Sequence, residues 1–229
     1  MEPTNSHRRR VWRLSIAAVL WILVLILGTA AVFSPRPAQK NPIALPDYSA
    51  SRTTTYRNKT LSRVVARLAQ RPAMVNCRSH ADWKSQGSWW ARRYPDLGEL
   101  GAWRAYTMPT KPPVVELSPS ICIELRRLAT SHRPAWDDEW PDALAYSAAV
   151  LAHEAVHVSG NSDEAEAYCY GMQRISEATV ALGRTRGEGR YLGKRFFTRW
   201  HPRYGPPFRS RACTNDGRLD LHRSTAVWP

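Results

Sequence analysis

The sequence predicts an α+β, helix-rich domain with a small sheet, carried behind one N-terminal transmembrane helix. Three observations predict it. Residues 14–33 form an uncharged apolar run, LSIAAVLWILVLILGTAAVF. Beyond it, several segments repeat apolar residues with a helical period, and only a few short runs read as strands. One of the helical segments, rich in alanine, ends in His153-Glu154-Ala-Val-His157.

The N-terminal run is long enough, at 1.5 Å per residue, to span a hydrocarbon core of about 30 Å. It shows no polar face. Arg8, Arg9, Arg10 and Arg13 precede it and place residues 1–13 in the cytoplasm. A cleaved signal peptide is the rival reading, with Gly28 and Ala30 as small residues before a cut. The run is longer than such signals need, so an uncleaved anchor is expected. Localisation then follows: plasma membrane, single-pass, with the folded domain outside the cytoplasm. Residues 34–58 hold Pro35, Pro37, Pro42 and Pro46, then a polar stretch, and read as a flexible linker. The domain is expected over 59–229.

The formal charge is +14, of which the first thirteen residues supply +3. The remaining +11 is mostly arginine. It reflects either a GC-rich coding bias or attraction to polyanions, such as lipid headgroups or an anionic cell-wall polymer. A nucleic-acid partner is not expected outside the cytoplasm.

Within the domain, Leu61, Val64, Val65 and Leu68 give Thr60–Arg71 an apolar helical face, ended by Pro72. Residues 73–113 carry Trp83, Trp89, Trp90 and Trp103, which are expected to fill the core. Trp103 to Thr107 and Val114–Leu117 read as short strands. Ser118-Pro119 opens a helix whose apolar face holds Ile121, Cys122, Leu125 and Leu128. After a loop over 131–141, Pro141 opens the histidine-bearing helix, which stops at Gly160. Asn161 is a cap for a second helix over about Ser162 to Leu182. A turn covers 184–190, a helix Tyr191 to Trp200, and a proline-rich loop follows. Leu219-Asp220-Leu221 is a candidate strand.

Four residues advance a helix by about one turn, so His153 and His157 share a face and reach one metal ion. Glu154 lies beside that face, where a carboxylate can take a proton from water. A hydrolytic zinc site usually takes a third protein ligand. Asp163 gives HExxHxxGxxD, a spacing similar to the metzincins. Their methionine turn is missing, because the last methionine, Met172, falls inside the next helix. Glu164 starts Glu-x-x-Ala167 and is similar to the gluzincin pattern, in which a glutamate on the following helix completes the site. Ala167 and Gly171 share its face and allow close helix approach. Glu164 is the preferred ligand and Asp163 the alternative.

Taken together, these residues resemble a group of bacterial, membrane-anchored, gluzincin-like metallopeptidases. The resemblance rests on His153-Glu154-x-x-His157-x-x-Gly160 and Asp163-Glu164-x-x-Ala167-x-Cys169-Tyr170. It also takes in Met172-Gln173, Ser210-x-x-Cys213, Leu219-Asp220-Leu221 and Trp228-Pro229. It covers most of the ectodomain. It implies a zincin-like (minigluzincin) fold, Zn²⁺ as cofactor, and a peptide or protein substrate at the outer membrane face. In such folds an edge strand before HExxH pairs with extended substrate, and Val114–Leu117 is expected to supply it.

Cys77, Cys122, Cys169 and Cys213 all follow the apolar run, and an even count outside the cytoplasm suggests two disulfides. Three connectivities exist. Cys77–Cys122 with Cys169–Cys213 is the expected one. His201, Tyr204, Tyr191 and Tyr168 are candidate donors to an oxyanion. A competing function is a non-catalytic, zinc-containing binding module that recognises a wall polymer or a partner protein. An intact Glu154 speaks against it, since a structural site needs no carboxylate there.

Overall fold

The computed structural model describes residues 54–93, 104–225 and Trp228, apart from the side chains of 87–93. The chain divides into two compact units, Met1–Ile43 and Ala44–Pro229, and every described residue belongs to the second. The expected cytoplasmic segment, the apolar run 14–33 and most of the linker lie outside the described residues. Among the described residues, no helix is long and apolar enough to cross a membrane.

The architecture is α+β, helix-rich, with one mixed four-stranded sheet. The strands are β1 (Tyr56–Arg57), β2 (Met74–Cys77), β3 (Ala105–Met108) and β4 (Val114–Leu117). Their order is β1-β2-β4-β3. The β2–β4 pair is parallel, and β1 and β3 flank it antiparallel. Val114–Leu117 is therefore an interior strand, buried along its length, and not the expected edge. Val114, Val115 and Leu117 are buried apolar residues, and the one charged residue, Glu116, is buried with its carboxylate accepting from Arg78 Nε at 2.6 Å and Asn76 Nδ2 at 2.9 Å. The edge strand facing the helices is β3. Strand β1 falls in the stretch read as linker, and β2 in 73–113, at positions where the sequence reading assigns no element.

Helix α1 (Lys59–Ala69) is capped by Asn58, whose side chain accepts from Leu61 N at 3.0 Å, and it buries Leu61, Val64, Val65 and Leu68. Ser62 Oγ accepts from Val75 N at 2.9 Å and ties this helix to β2. Helix α2 is His80–Arg93, and α3 is Pro119–Thr130 with proline in its first turn. The loop 131–141 includes a short 3-10 turn at Ala135–Asp137. Helix α4 (Pro141–Val158) runs through the middle of the domain, packed by α1, α3, α5, α6 and α7. Its alanines, Ala143, Ala145, Ala148, Ala149, Ala152 and Ala155, are all buried, which lets so many neighbours approach.

The single helix expected after Asn161 is two, α5 (Glu164–Gln173) and α6 (Ile175–Ala181), broken at Arg174. Arg174 leaves helical geometry while its guanidinium donates to Leu68 O at 2.8 Å on α1. The segment read as a turn over 184–190 is mostly helix. Thr185 and Glu188 form a reciprocal cap that starts α7 (Arg186–Arg199). Residues Leu219–Leu221 make no strand. The side-chain amide of Gln173 instead clasps this segment, donating to Leu219 O at 2.8 Å and accepting from Leu221 N at 2.7 Å. A side chain thus supplies the partners that a neighbouring strand would have given.

Both expected disulfides are present, Cys77–Cys122 and Cys169–Cys213. The first joins the end of β2 to α3. The second joins α5 to the C-terminal segment across a sequence separation of 44. Loop-closure entropy gives such a bridge about 4 kcal/mol. A Cys169→Ala, Cys213→Ser protein is therefore expected to melt roughly 8–16 °C lower. It should also loosen α5, and with it the position of Glu164. Unchanged melting would show the bridge to be idle.

Candidate metal centre

The site begins with how α4 ends. Gly160 adopts φ +108°, a conformation that favours glycine. Gly160 N donates to His157 O at 2.9 Å, and Asn161 N donates to Val156 O at 3.4 Å, the pattern of a Schellman stop. The chain turns back at once. Asn161 is not the helix cap expected. Asp163 is, with its side chain accepting from Glu166 N at 2.8 Å, while Asn161 Oδ1 holds Asp163 N at 2.9 Å. Helix α5 thus starts at Glu164 and lies across α4.

The crossing is close because of one glycine. A Cβ built at Gly171 would sit 2.7 Å from His153 Cα and 2.8 Å from His153 N. Ala167, one turn earlier, is fully buried on the same face. Glu164 lies about two turns before Gly171 and so is carried over the histidines.

Three ligand atoms meet there: His153 Nε2, His157 Nε2 and Glu164 Oε2. The two nitrogens are 2.9 Å apart, and the carboxylate oxygen is 3.3 Å and 3.4 Å from them. Ligands at zinc–nitrogen distances on a tetrahedron stand about 3.3 Å apart, so the triangle has the size such an ion requires. The donor set, two imidazoles and one carboxylate, suits zinc chemically. His157 Nδ1 lies 2.8 Å from Asn161 O. A carbonyl only accepts, so Nδ1 carries a proton, and Nε2 is the nitrogen that faces the triangle. His153 Nδ1 is buried without a hydrogen-bond partner.

Burial works against an ionised His157, yet the Glu164 hydrogen bond and the nearby Glu154 carboxylate push its pKa up to about 9. Burial likewise opposes the Glu164 carboxylate, but hydrogen bonds from both histidines hold it down at about 2. Asp163, committed to capping and exposed, does not join the group.

Glu154 sits beside this triangle, 3% exposed. Its Oε2 accepts from Thr107 Oγ1 at 2.7 Å. Burial pushes its carboxyl above the ordinary range, against the pull of both histidines and the Thr107 bond. Thr107 belongs to β3, so the sheet edge fixes the carboxylate on the helix. No protein-family model matches this chain, no curated protein matches it, and no solved structure matches it.

The triangle and Glu154 open onto a cavity of about 860 Å³. All of β3 lines it, together with Tyr146, Tyr168, Tyr204 and Phe208. Trp83, expected in the core, is half-buried, stacks on Tyr106 at 6.0 Å and lines this cavity. Trp89, Trp90 and Trp103 lie outside the described side chains. Of the candidate oxyanion donors, Tyr204 and Tyr168 line the cavity. His201 does not. It stacks between Tyr168 and Phe197 and reaches the Tyr168 hydroxyl at 3.3 Å. Tyr191 is also outside, packed on Trp136 and bonded by Arg195. Burial pushes Tyr204 well above its ordinary pKa, so it stays a donor at neutral pH. Three contributors went unnoticed in the sequence: Arg104, Thr107 and Tyr146. The only signal for Arg104 and Thr107 was their place in a short strand, and for Tyr146 its place in the histidine-bearing helix.

Proposed function

We propose that this protein is a zinc-dependent peptidase, tethered to the plasma membrane by its N-terminal run and acting on peptides or proteins at the outer face. One observation carries the reading: a buried carboxylate, Glu154, stands beside three converging donor atoms at the wall of a large cavity. A structural metal site has no use for that carboxylate, and burying it costs several kcal/mol. This is why the binding-module alternative is set aside.

His153, His157 and Glu164 would hold the ion. When bound, zinc polarises the scissile carbonyl and lowers the pKa of water. The protein's own groups do the rest. Glu154 takes one proton from the attacking water as its oxygen bonds to the carbonyl carbon. It then passes that proton to the departing amine as the C–N bond breaks. Thr107 orients the carboxylate for both transfers. The outer edge of β3, unpaired by any other described strand, offers backbone groups to an extended substrate. Tyr204 is the candidate donor to the oxyanion.

The test is direct. The purified full chain should contain one zinc per molecule by elemental analysis and cleave members of a peptide library. A chelator should abolish cleavage, and added zinc should restore it. A protein that takes up no zinc, or cleaves equally with chelator, overturns the proposal.

A further inference from the structure

The cavity's remaining wall carries a charge that the hydrolytic reading leaves unused. Arg104 lies directly before β3, half-buried, with its carbonyl accepting from Ser118 N at 2.9 Å. It lines the cavity beside Tyr146 and Tyr204. Its guanidinium lies near enough to interact with the Tyr146 hydroxyl, which interacts in turn with that of Tyr204. Both tyrosines are neutral there, because burial pushes them upward. Among the described residues, no carboxylate forms an ion pair with Arg104. Among the described residues the partners of this half-buried guanidinium are neutral, which leaves it donors for an anion.

The charge of the whole cavity points the same way. Its fixed charges are Arg71, Arg104 and Lys111 against Glu154 and Glu164. A divalent ion would cancel the two carboxylates and leave three cations. Of these, Arg71 and Lys111 are exposed, whereas Arg104 is held in the aromatic wall. Apolar surface on Phe196 and Phe208 surrounds the same space.

We infer that Arg104 binds a carboxylate of the substrate, next to an apolar or aromatic side chain held by the cavity wall. The carboxylate is either the peptide's free C-terminus or an Asp or Glu side chain. The planar fork of arginine takes such a group through two parallel hydrogen bonds. This inference rests on the peptidase reading for its meaning, but its test does not depend on turnover.

Three probes separate the sources: acetyl-Ala-Ala-Phe as free acid, the same peptide as C-terminal amide, and acetyl-Glu-Ala-Phe amide. Each is titrated calorimetrically into zinc-loaded full chain carrying Glu154→Gln, with Arg104 intact or changed to Gln or Lys. One carboxylate probe is expected to bind about 10–100-fold tighter than the neutral amide. That preference should vanish in Arg104→Gln and survive in part in Arg104→Lys. Which acid gains identifies the source. Melting curves establish that each variant is folded, and the Lys form carries the test if the Gln form is not. Equal binding of all probes, no binding of any, or a preference that persists without Arg104 overturns the inference. A chain that binds the acid through Arg104 but cleaves nothing in its Glu154 form would instead sink the peptidase reading alone.

Discussion

Glu154→Gln is expected to retain one zinc per chain and to lose peptide hydrolysis by about 10²–10⁴-fold. The substitution is close to isosteric. The Gln carbonyl oxygen can accept the Thr107 Oγ1 hydrogen bond now made to Oε2 at 2.7 Å, so the side chain stays in place. What goes is the ability to take and return a proton. The three donor atoms of the metal group are untouched, because none belongs to residue 154. Removing a buried negative charge should not lower the melting temperature, since burial already disfavours the ionised form. Elemental analysis, melting and steady-state kinetics on the two proteins check all parts together. Equal turnover would strip Glu154 of its assigned part, and loss of zinc would show that it supports the ion itself.

The second large effect belongs to a residue with no side chain. Gly171→Ala should improve helix propensity by about 1 kcal/mol, since glycine is poor inside a helix. Against this, the new Cβ falls 2.7 Å from a backbone atom of His153, and backbone cannot swing aside. Overpacking of this kind costs about 1–3 kcal/mol and more where main chain opposes main chain. Sterics therefore win, and α5 must back away from α4. Glu164 moves with it, while His153 and His157 stay. The expected result is a melting temperature several degrees lower and zinc affinity reduced at least tenfold, with Gly171→Val worse on both. Gly193 on α7 is the control, because a Cβ there meets nothing within 4 Å. Gly193→Ala should be neutral or slightly stabilising. If Gly171→Ala behaves like the control, the close crossing is not what holds the site together.

The helical half of the domain was legible because its signals are local. The two histidines one turn apart, Gly160 as a stop, and the small residues Ala167 and Gly171 each act within a few positions along the chain. The structure accordingly brings Glu164, rather than Asp163, to the histidines: Asp163 is consumed in capping. The sheet was harder to read. Strand β2 is short and lies in a stretch of mixed character, and the edge role of β3 depends on which strand pairs outside β4. That is settled by long-range packing and not by any pattern within Val114–Leu117. Thr107 could not be found for the same reason. Its importance comes from a partner 47 residues away. The break at Arg174 was hidden because the helical pattern continues through it, and only the contact with α1 explains it.

That asymmetry has a practical side. His153 to Glu164 is one short hairpin of chain, so its grip on an ion needs little beyond two helices and a turn. Glu154, the proposed base, is by contrast steadied by a strand that must dock from a distant stretch. Preparations in which the β-layer is damaged or incompletely assembled should still load with metal while being inert. On the proposed reading, a full complement of zinc would certify the two helices and their bridge, and not the β-layer.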